Sequence, residues 1–229
     1  MNLNDKEVIL FDLDGTLIDS VPDLAHSLNA MLQELDRSTF SEDTIRFWVG
    51  NGAQTLVKRA LSGQRDIDED IDPTLFREAL SVFLTFYAQD LCRSTVTYPN
   101  VTETLYTLKE RGYRLAIITN KPFDFVAPIL KGLKLERLFE LCLGGDSLER
   151  KKPDPLPLYH ACQKLNISVE QAVMVGDSKN DILAANASGM QSIGVTYGYN
   201  YGEDISSYNP DVVIDDFANI LTLIDNKET

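Results

Sequence analysis

The sequence predicts a doubly wound parallel α/β core with an inserted α-helical cap, and three observations carry that prediction. Short continuous apolar runs recur along the chain. Each ends in small or polar residues, and helical patterns separate them, as βαβ units require. Residues 20–92 break this alternation, because helical periodicity there continues with no strand between.

In chain order, the first run is Val8, Ile9, Leu10 and Phe11, opening into Asp12, Asp14 and Gly15. A fully apolar run of this length suits a strand buried on both faces. Similar runs lie at Leu115 to Ile118 before Thr119, Leu141 to Leu143 before Gly144, Ala172 to Val175 before Gly176, and Ile193 to Val195. Val101, Leu105 and Leu108, and then Ile182, Leu183 and Ala185, repeat helically between them. The expected division is a core of residues 1–19 and 93–229 and a cap of residues 20–92. Within the cap, Leu24, Leu28, Met31, Leu32 and Leu35 mark one helix. Asp72 and Pro73 supply an N-cap and first position for another through Leu75, Phe76, Leu80, Phe83 and Leu84. Gln64 to Asp70 reads as a solvated loop. In a sheet of this kind ligands bind beyond the carboxyl ends of the strands, so the residues after each apolar run should meet in one crevice.

The 229 residues, 44% hydrophobic and 24% charged, suit a soluble globular protein. With 35 acidic and 21 basic residues the net charge is -14, which repels nucleic acid polymers and anionic membrane surfaces. It also opposes a small phosphorylated metabolite, so a phosphate site must gather lysines, a metal ion or helix N-termini locally. Cys92, Cys142 and Cys162 are odd in number and lack zinc-like spacing, and are expected to be buried, reduced thiols. His26 and His160 fall in helical patterns and read as structural. The polar N-terminus and the lack of an apolar run near about 18 residues lead to the expectation of a cytoplasmic protein, monomeric or weakly homo-oligomeric, without a membrane partner.

Asp12-Leu13-Asp14-Gly15-Thr16-Leu17 places two carboxylates two residues apart just after a strand, able to reach one side of the crevice. Alone, such a pair is commonly a turn or cap. Downstream, in order, stand Thr119-Asn120-Lys121, Lys152-Pro153-Asp154-Pro155 and Gly176-Asp177-Ser178-Lys179-Asn180-Asp181. An apolar strand followed by Asp-x-Asp-Gly-Thr, with these three later segments, resembles the haloacid dehalogenase superfamily over essentially the whole chain.

That resemblance implies a Rossmann-like core and a magnesium-dependent phosphatase. Asp12 is the expected nucleophile, since a carboxylate of intrinsic pKa near ~3.9 is ionised at neutral pH. Asp14 is expected to protonate the departing alkoxide and then deprotonate the attacking water. Magnesium is expected on Asp12, the Asp14 backbone carbonyl and Asp177, with Asp181 orienting the site rather than binding directly. Plain helix capping is the other reading of Asp177 and Asp181. Thr119 and Lys152, the family's charge-neutralising lysine, are expected on the transferring phosphoryl oxygens, aided by amides near Leu13, Asp14 and Asn120. Lys151 is expected to face solvent. Lys121 is either a surface residue or a contact to the substrate's far end.

In the cap, Arg46, Gly50, Asn51 and Gly52 belong to a glycine-containing loop that can bring amides to an anion, unless it serves only the packing of Trp48 and a turn. With Thr196-Tyr197-Gly198-Tyr199, this loop is similar to that of the bacterial phosphoglycolate phosphatase family. The Tyr197 to Tyr201 run is otherwise ordinary packing. A small ester such as 2-phosphoglycolate is therefore expected as substrate. A sugar-phosphate phosphatase or phosphomutase, a haloalkanoate dehalogenase and a non-catalytic phosphate-binding module are the alternatives. Asp14 weighs against the dehalogenase, because that branch lacks this second aspartate.

Overall fold

The structure, a computed structural model, describes residues 1–224. Its centre is a six-stranded, wholly parallel sheet, formed by β1 (Val8–Phe11), β4 (Arg114–Ile118), β5 (Phe139–Leu143), β6 (Ala172–Gly176), β7 (Gln191–Val195) and β8 (Val212–Ile214) in the order β5-β4-β1-β6-β7-β8. The short β2 (Ile18–Asp19) and β3 (Val96–Thr97) pair antiparallel apart from it. The expected doubly wound α/β fold is the observed one. β2, β3 and β8 were not anticipated: two or three residues leave no period to read.

Alternation along the strands sorts side chains between two faces. Ile9, Phe11, Leu115, Ile117, Val173 and Val175 pack with α5 (Val101–Glu110) and α6 (Phe123–Gly132). Val8, Leu10, Ala116, Ile118, Ala172 and Met174 pack on the other face with α7 (Leu156–Leu165) and α8 (Lys179–Ser188). Both faces of the central strands are thus dry, which is why their sequences are apolar throughout.

Between β2 and β3 come α1 (Val21–Glu34), α2 (Glu42–Arg46), α3 (Ala53–Ser62) and α4 (Pro73–Gln89). They bury a separate apolar cluster around Leu28, Met31, Trp48, Val57 and Phe83. Asp72 caps α4, its side chain accepting from Thr74 N–H at 3.0 Å, with Pro73 at the first turn. The buried stripe of α4 is Ala79, Phe83 and Tyr87, spaced four apart, so the helix turns Leu75 and Leu80 further outward than their hydrophobicity suggested. Of the cysteines only Cys162 is fully buried; Cys92 and Cys142 are half-buried, and all three are free. Among the described residues no helix is long and apolar enough to cross a membrane.

Asp23 fastens the helical segment to the returning chain. It is buried in the first turn of α1 and accepts from Ser94 N–H at 2.9 Å, Thr95 N–H at 2.8 Å and the Thr95 hydroxyl at 2.7 Å. Removing the carboxylate leaves the buried Thr95 amide and hydroxyl without their acceptor, at a cost of about 3 kcal/mol. Asp23→Ala should therefore lower Tm by about 6–12 °C for a domain of this size. Thermal denaturation followed by circular dichroism reads this directly, and an unchanged Tm would show that Asp23 bears no such load.

Candidate active site

The parallel register sets the site. Phe11 is level with Ile117 on β4 and Val175 on β6, so Asp12 leaves the sheet level with Ile118 and Gly176, and Thr119 and Asp177 follow one residue further along on the two adjacent strands. Neighbouring strands lie about 4.8 Å apart, close enough for their end residues to share one ligand. Asp12 N–H donates to Val175 O at 3.0 Å and Thr119 N–H to Leu143 O at 3.0 Å, which carries the sheet pattern right up to these residues.

Asp12, Asp177 and Asp181 are all buried, and one carboxylate oxygen from each lies within 4.8 Å of the others. Lys152, 1% exposed, stands among them, 3.2 Å from Asp12 Oδ1 and 2.5 Å from Asp181 Oδ1. Leu13 N–H donates to the same Asp12 Oδ1 at 2.7 Å. Asp12 Oδ2 accepts no hydrogen bond from the described residues. Leu13 N–H is accordingly engaged with Asp12, whereas the sequence alone suggested a free donor toward a phosphoryl group.

Asp177 is held by Thr16 Oγ1 at 2.7 Å and Tyr199 N–H at 2.6 Å. Glycine is required around it. A Cβ on Gly15, which has φ +88, would sit 2.2 Å from Asp177 Oδ2, and one on Gly198 would lie 2.2 Å from Asp177 Cβ. Asp181 is fully enclosed, with Oδ2 accepting from Ser178 N–H at 3.0 Å and its hydroxyl at 2.9 Å. Both oxygens of Asp181 and both of Asp177 thus already accept hydrogen bonds, whereas on Asp12 only Oδ1 does.

Burial pushes Asp12 up to about 7; Lys152 opposes this, Asp181 and Asp14 add to it, and Leu13 N–H opposes it. Burial, then Asp181 and Asp12, likewise lift Asp177 well above the usual carboxylate range, against Tyr199 N–H and Thr16. Burial also opposes charge on Lys152, but Asp12 and Asp181 outweigh it and raise the ammonium. An isolated carboxylate ionises unaided, but here Asp12 needs compensating positive charge, because three carboxylates share one lysine in a dry site. The donor set is all hard oxygen and carries excess negative charge, which fits a hard divalent cation.

Asp14 lies across the cleft. Its Oδ1 accepts from Ser20 Oγ at 2.5 Å, and Lys121 Nζ lies 2.9 and 3.1 Å from its two oxygens. Lys121 is 4% exposed, so it is no surface lysine. Burial disfavours its charge, but Asp14 and Tyr87 outweigh that and raise the ammonium above the ordinary lysine value.

A cavity of about 470 Å³, counting its open mouth, runs from Asp12 and Asp14 past Thr119, Asn120 and Lys121. Its far wall is Leu24, Val49, Leu56, Phe83, Tyr87 and Phe125. Gly50, Gly52 and Ala53 border it, at the start of α3. Gly52 is the N-cap, with φ +82 and no side chain to satisfy the first amides of the helix. The glycine loop is clasped by the core: Asn120 Nδ2 and Asn180 Nδ2 each donate to Gly50 O at 3.1 Å, and Lys151 Nζ to Asn51 O at 2.6 Å.

Three sequence expectations are corrected here. Lys151 does not face solvent but is half-buried against the Asn51 carbonyl. Arg46 does not border the cavity; it lies 3.2 Å from both Asp19 oxygens and 3.0 Å from Glu42, with Tyr199 beneath it. Asn51 faces the core too, its Oδ1 accepting from Tyr201 at 2.6 Å. The tyrosine run is thus a strap across core and helices, with Tyr197 bonded to Thr16 O at 3.0 Å and Tyr199 to Asp19 at 2.5 Å. Sequence reasoning missed Ser20 and Tyr87. A four-residue spacing from Phe83 was the available signal for Tyr87, and Ser20 had none.

A family profile described as Haloacid dehalogenase-like hydrolase matches residues 9–195. A phosphoglycolate phosphatase of Colwellia psychrerythraea is 56% identical over 221 residues, covering 96% of this chain and 98% of that one. Another, from Psychrobacter arcticus, is 50% identical, covering 93% and 94%. The crystal structure of a "predicted phosphoglycolate phosphatase" from Haemophilus somnus superposes with TM-score 0.89 at 41% identity, covering 96% of this chain and 98% of that one. The profile spans most of the strands that build the site, and the relatives match nearly throughout, so the chain belongs to the haloacid dehalogenase-like hydrolases.

Proposed function

We propose that the protein is a cytoplasmic, magnesium-dependent phosphatase that hydrolyses 2-phosphoglycolate to glycolate and phosphate through a phosphorylated Asp12. The observation that carries this reading is the shape of the cavity. One end presents Asp12, which Lys152 approaches to 3.2 Å, beside Thr119 and Asn120, and the other offers little beyond apolar wall, Lys121 and the start of α3. A hexose phosphate brings many hydroxyls that such a wall leaves unpaired. A two-carbon ester with a single carboxylate asks for one cation and a few amides, which Lys121 and the α3 N-terminus supply. The names of the relatives from Colwellia and Psychrobacter agree with this substrate.

In this reading Asp12 Oδ2 forms a bond to phosphorus as the bond to the glycolate oxygen breaks. Thr119 and Lys152 hold the phosphoryl oxygens, where charge accumulates. Asp14 gives a proton to the departing alkoxide and recovers one from the water that next attacks phosphorus, restoring Asp12. Lys121 and Ser20 fix Asp14 in place for both transfers. Magnesium, held by Asp12, Asp177 and the Asp14 carbonyl, would neutralise charge on the phosphate and on the buried carboxylates. Asp181 supports Lys152. Residues 20–92 serve as a cap that shuts water out of the cavity when the Gly50–Asn51 clasp forms.

Asp12→Asn keeps the shape but removes the nucleophile, so kcat should fall on the order of 10⁴-fold or more while the folded spectrum is kept. Substantial phosphate release by folded, undeamidated variant would contradict the role of Asp12. Asp177→Ala should raise the magnesium concentration for half-maximal activity by more than about 10-fold, the loss seen even for residues that only support a metal ligand. Full activity of chelator-treated enzyme would contradict the metal requirement. At Gly52 a Cβ would meet Asn120 O at 2.7 Å on a backbone with φ +82. Gly52→Val should therefore displace the loop and lower kcat/KM for 2-phosphoglycolate on the order of 10- to 100-fold, leaving the magnesium titration midpoint unchanged. A variant that keeps its preference for 2-phosphoglycolate over hexose phosphates would remove the loop from substrate recognition.

A further inference from the structure

Tyr87 presents a hydroxyl that the protein itself does not use. It is 1% exposed, lines the cavity, and its oxygen has no hydrogen-bond partner among the described residues. Buried polar groups are ordinarily paired, and an exception on a residue that lines a ligand cavity calls for an explanation, which a ligand's own polar atom can supply. The ring is fixed on three sides. It stacks on Phe83 at 5.8 Å, meets Phe125 edge-on at 5.1 Å, and lies beneath Lys121, whose Nζ is 4.8 Å from the ring centroid. Lys121 polarises the phenol from there, but no hydrogen bond of acceptable geometry joins the two.

We infer that Tyr87 is a specificity-determining residue, donating its O–H to an oxyanion on the substrate, a carboxylate in the reading above, on which this inference rests. Three features favour an oxyanion over a neutral acceptor. Lys121 places positive charge over the Tyr87 ring, and Asp14 takes two of its three ammonium donors, so a second anion can share it. The unsatisfied first amides of α3 border the same cavity. The phenol is also a dependable donor, because burial pushes it up to about 12, with Lys121 acting in the opposite direction. The remaining walls are apolar, so a carboxylate placed anywhere else on the α1–α4 side would lose its hydration without return. In the unliganded protein the stranded hydroxyl is a local cost, and a bound carboxylate relieves it. Tyr87 thus contributes binding selectively to substrates that carry the second anion, and acts at the far end from the phosphoryl group.

The test compares wild type and Tyr87→Phe, which removes one oxygen and keeps the ring, on 2-phosphoglycolate and on ethyl phosphate, in which a methyl group replaces the carboxylate. The ratio of their kcat/KM values should fall about 10- to 100-fold in the variant, the worth of one hydrogen bond to a charged group. The change should appear mainly in KM for 2-phosphoglycolate. Tm of the unliganded variant should be unchanged or higher, because an orphaned hydroxyl has been removed. An unchanged ratio, or a lowered Tm with both substrates slowed alike, would overturn the inference and leave the phosphatase reading intact. Wild-type enzyme that hydrolyses ethyl phosphate as well as 2-phosphoglycolate would overturn the substrate reading and this inference together. Wild-type enzyme that hydrolyses neither would overturn the phosphatase reading as well.

Discussion

Asp12, Asp177 and Asp181 are buried together at the end of one parallel sheet, facing a single buried ammonium, Lys152. Each charge removed from water costs several kcal/mol unless it is paired and hydrogen-bonded, and the surrounding structure is organised to meet that demand. Thr16 and Tyr199 N–H serve Asp177, Ser178 serves Asp181, and Leu13 N–H serves Asp12. Gly15, Gly176 and Gly198 leave room for carboxylates to press against backbone. The compensation is incomplete by design of the donor set, which is what makes the site receptive to a cation and to the phosphoryl group it would accompany.

The same carboxylates are tied to the α1–α4 segment. Tyr199 contacts Asp177 through its amide and Asp19 through its hydroxyl, and Asp19 stands where the chain leaves the core. The Gly50 carbonyl is gripped by Asn120 and Asn180, each from a segment that also supplies a site residue. Cavity shape, the position of the α1–α4 segment and charge balance are therefore not independent. A shift of the clasp alters the partners of Asn120 and so the neighbours of Lys152, whose own carbonyl accepts from Asn120 at 3.0 Å.

The central strands were legible in the sequence because both their faces are dry, which leaves an uninterrupted apolar run. The residues following them were legible because parallel topology gathers strand ends. β8 escaped notice because three apolar residues amid aspartates carry no period, and β2 and β3 because each is two residues long. Long side chains were the hardest to place. Lys121, Lys151 and Arg46 each reach several ångströms from their backbone, and only tertiary contacts decide whether that reach ends in the cavity, on a carbonyl or on a neighbouring aspartate. Asp23 resembled any acidic residue in a first helical turn, although its partners lie 71 and 72 residues away. Tyr87 could have been read from its four-residue spacing after Phe83, but its unpaired hydroxyl could not.

The central claim is that phosphorus is transferred first to Asp12 and then to water. Two successive in-line displacements invert phosphorus twice, whereas direct attack by water inverts it once. Hydrolysis of a 2-phosphoglycolate analogue made chiral at phosphorus with sulfur and oxygen isotopes, in isotopically labelled water, reads the difference. The account predicts net retention of configuration; net inversion would contradict it.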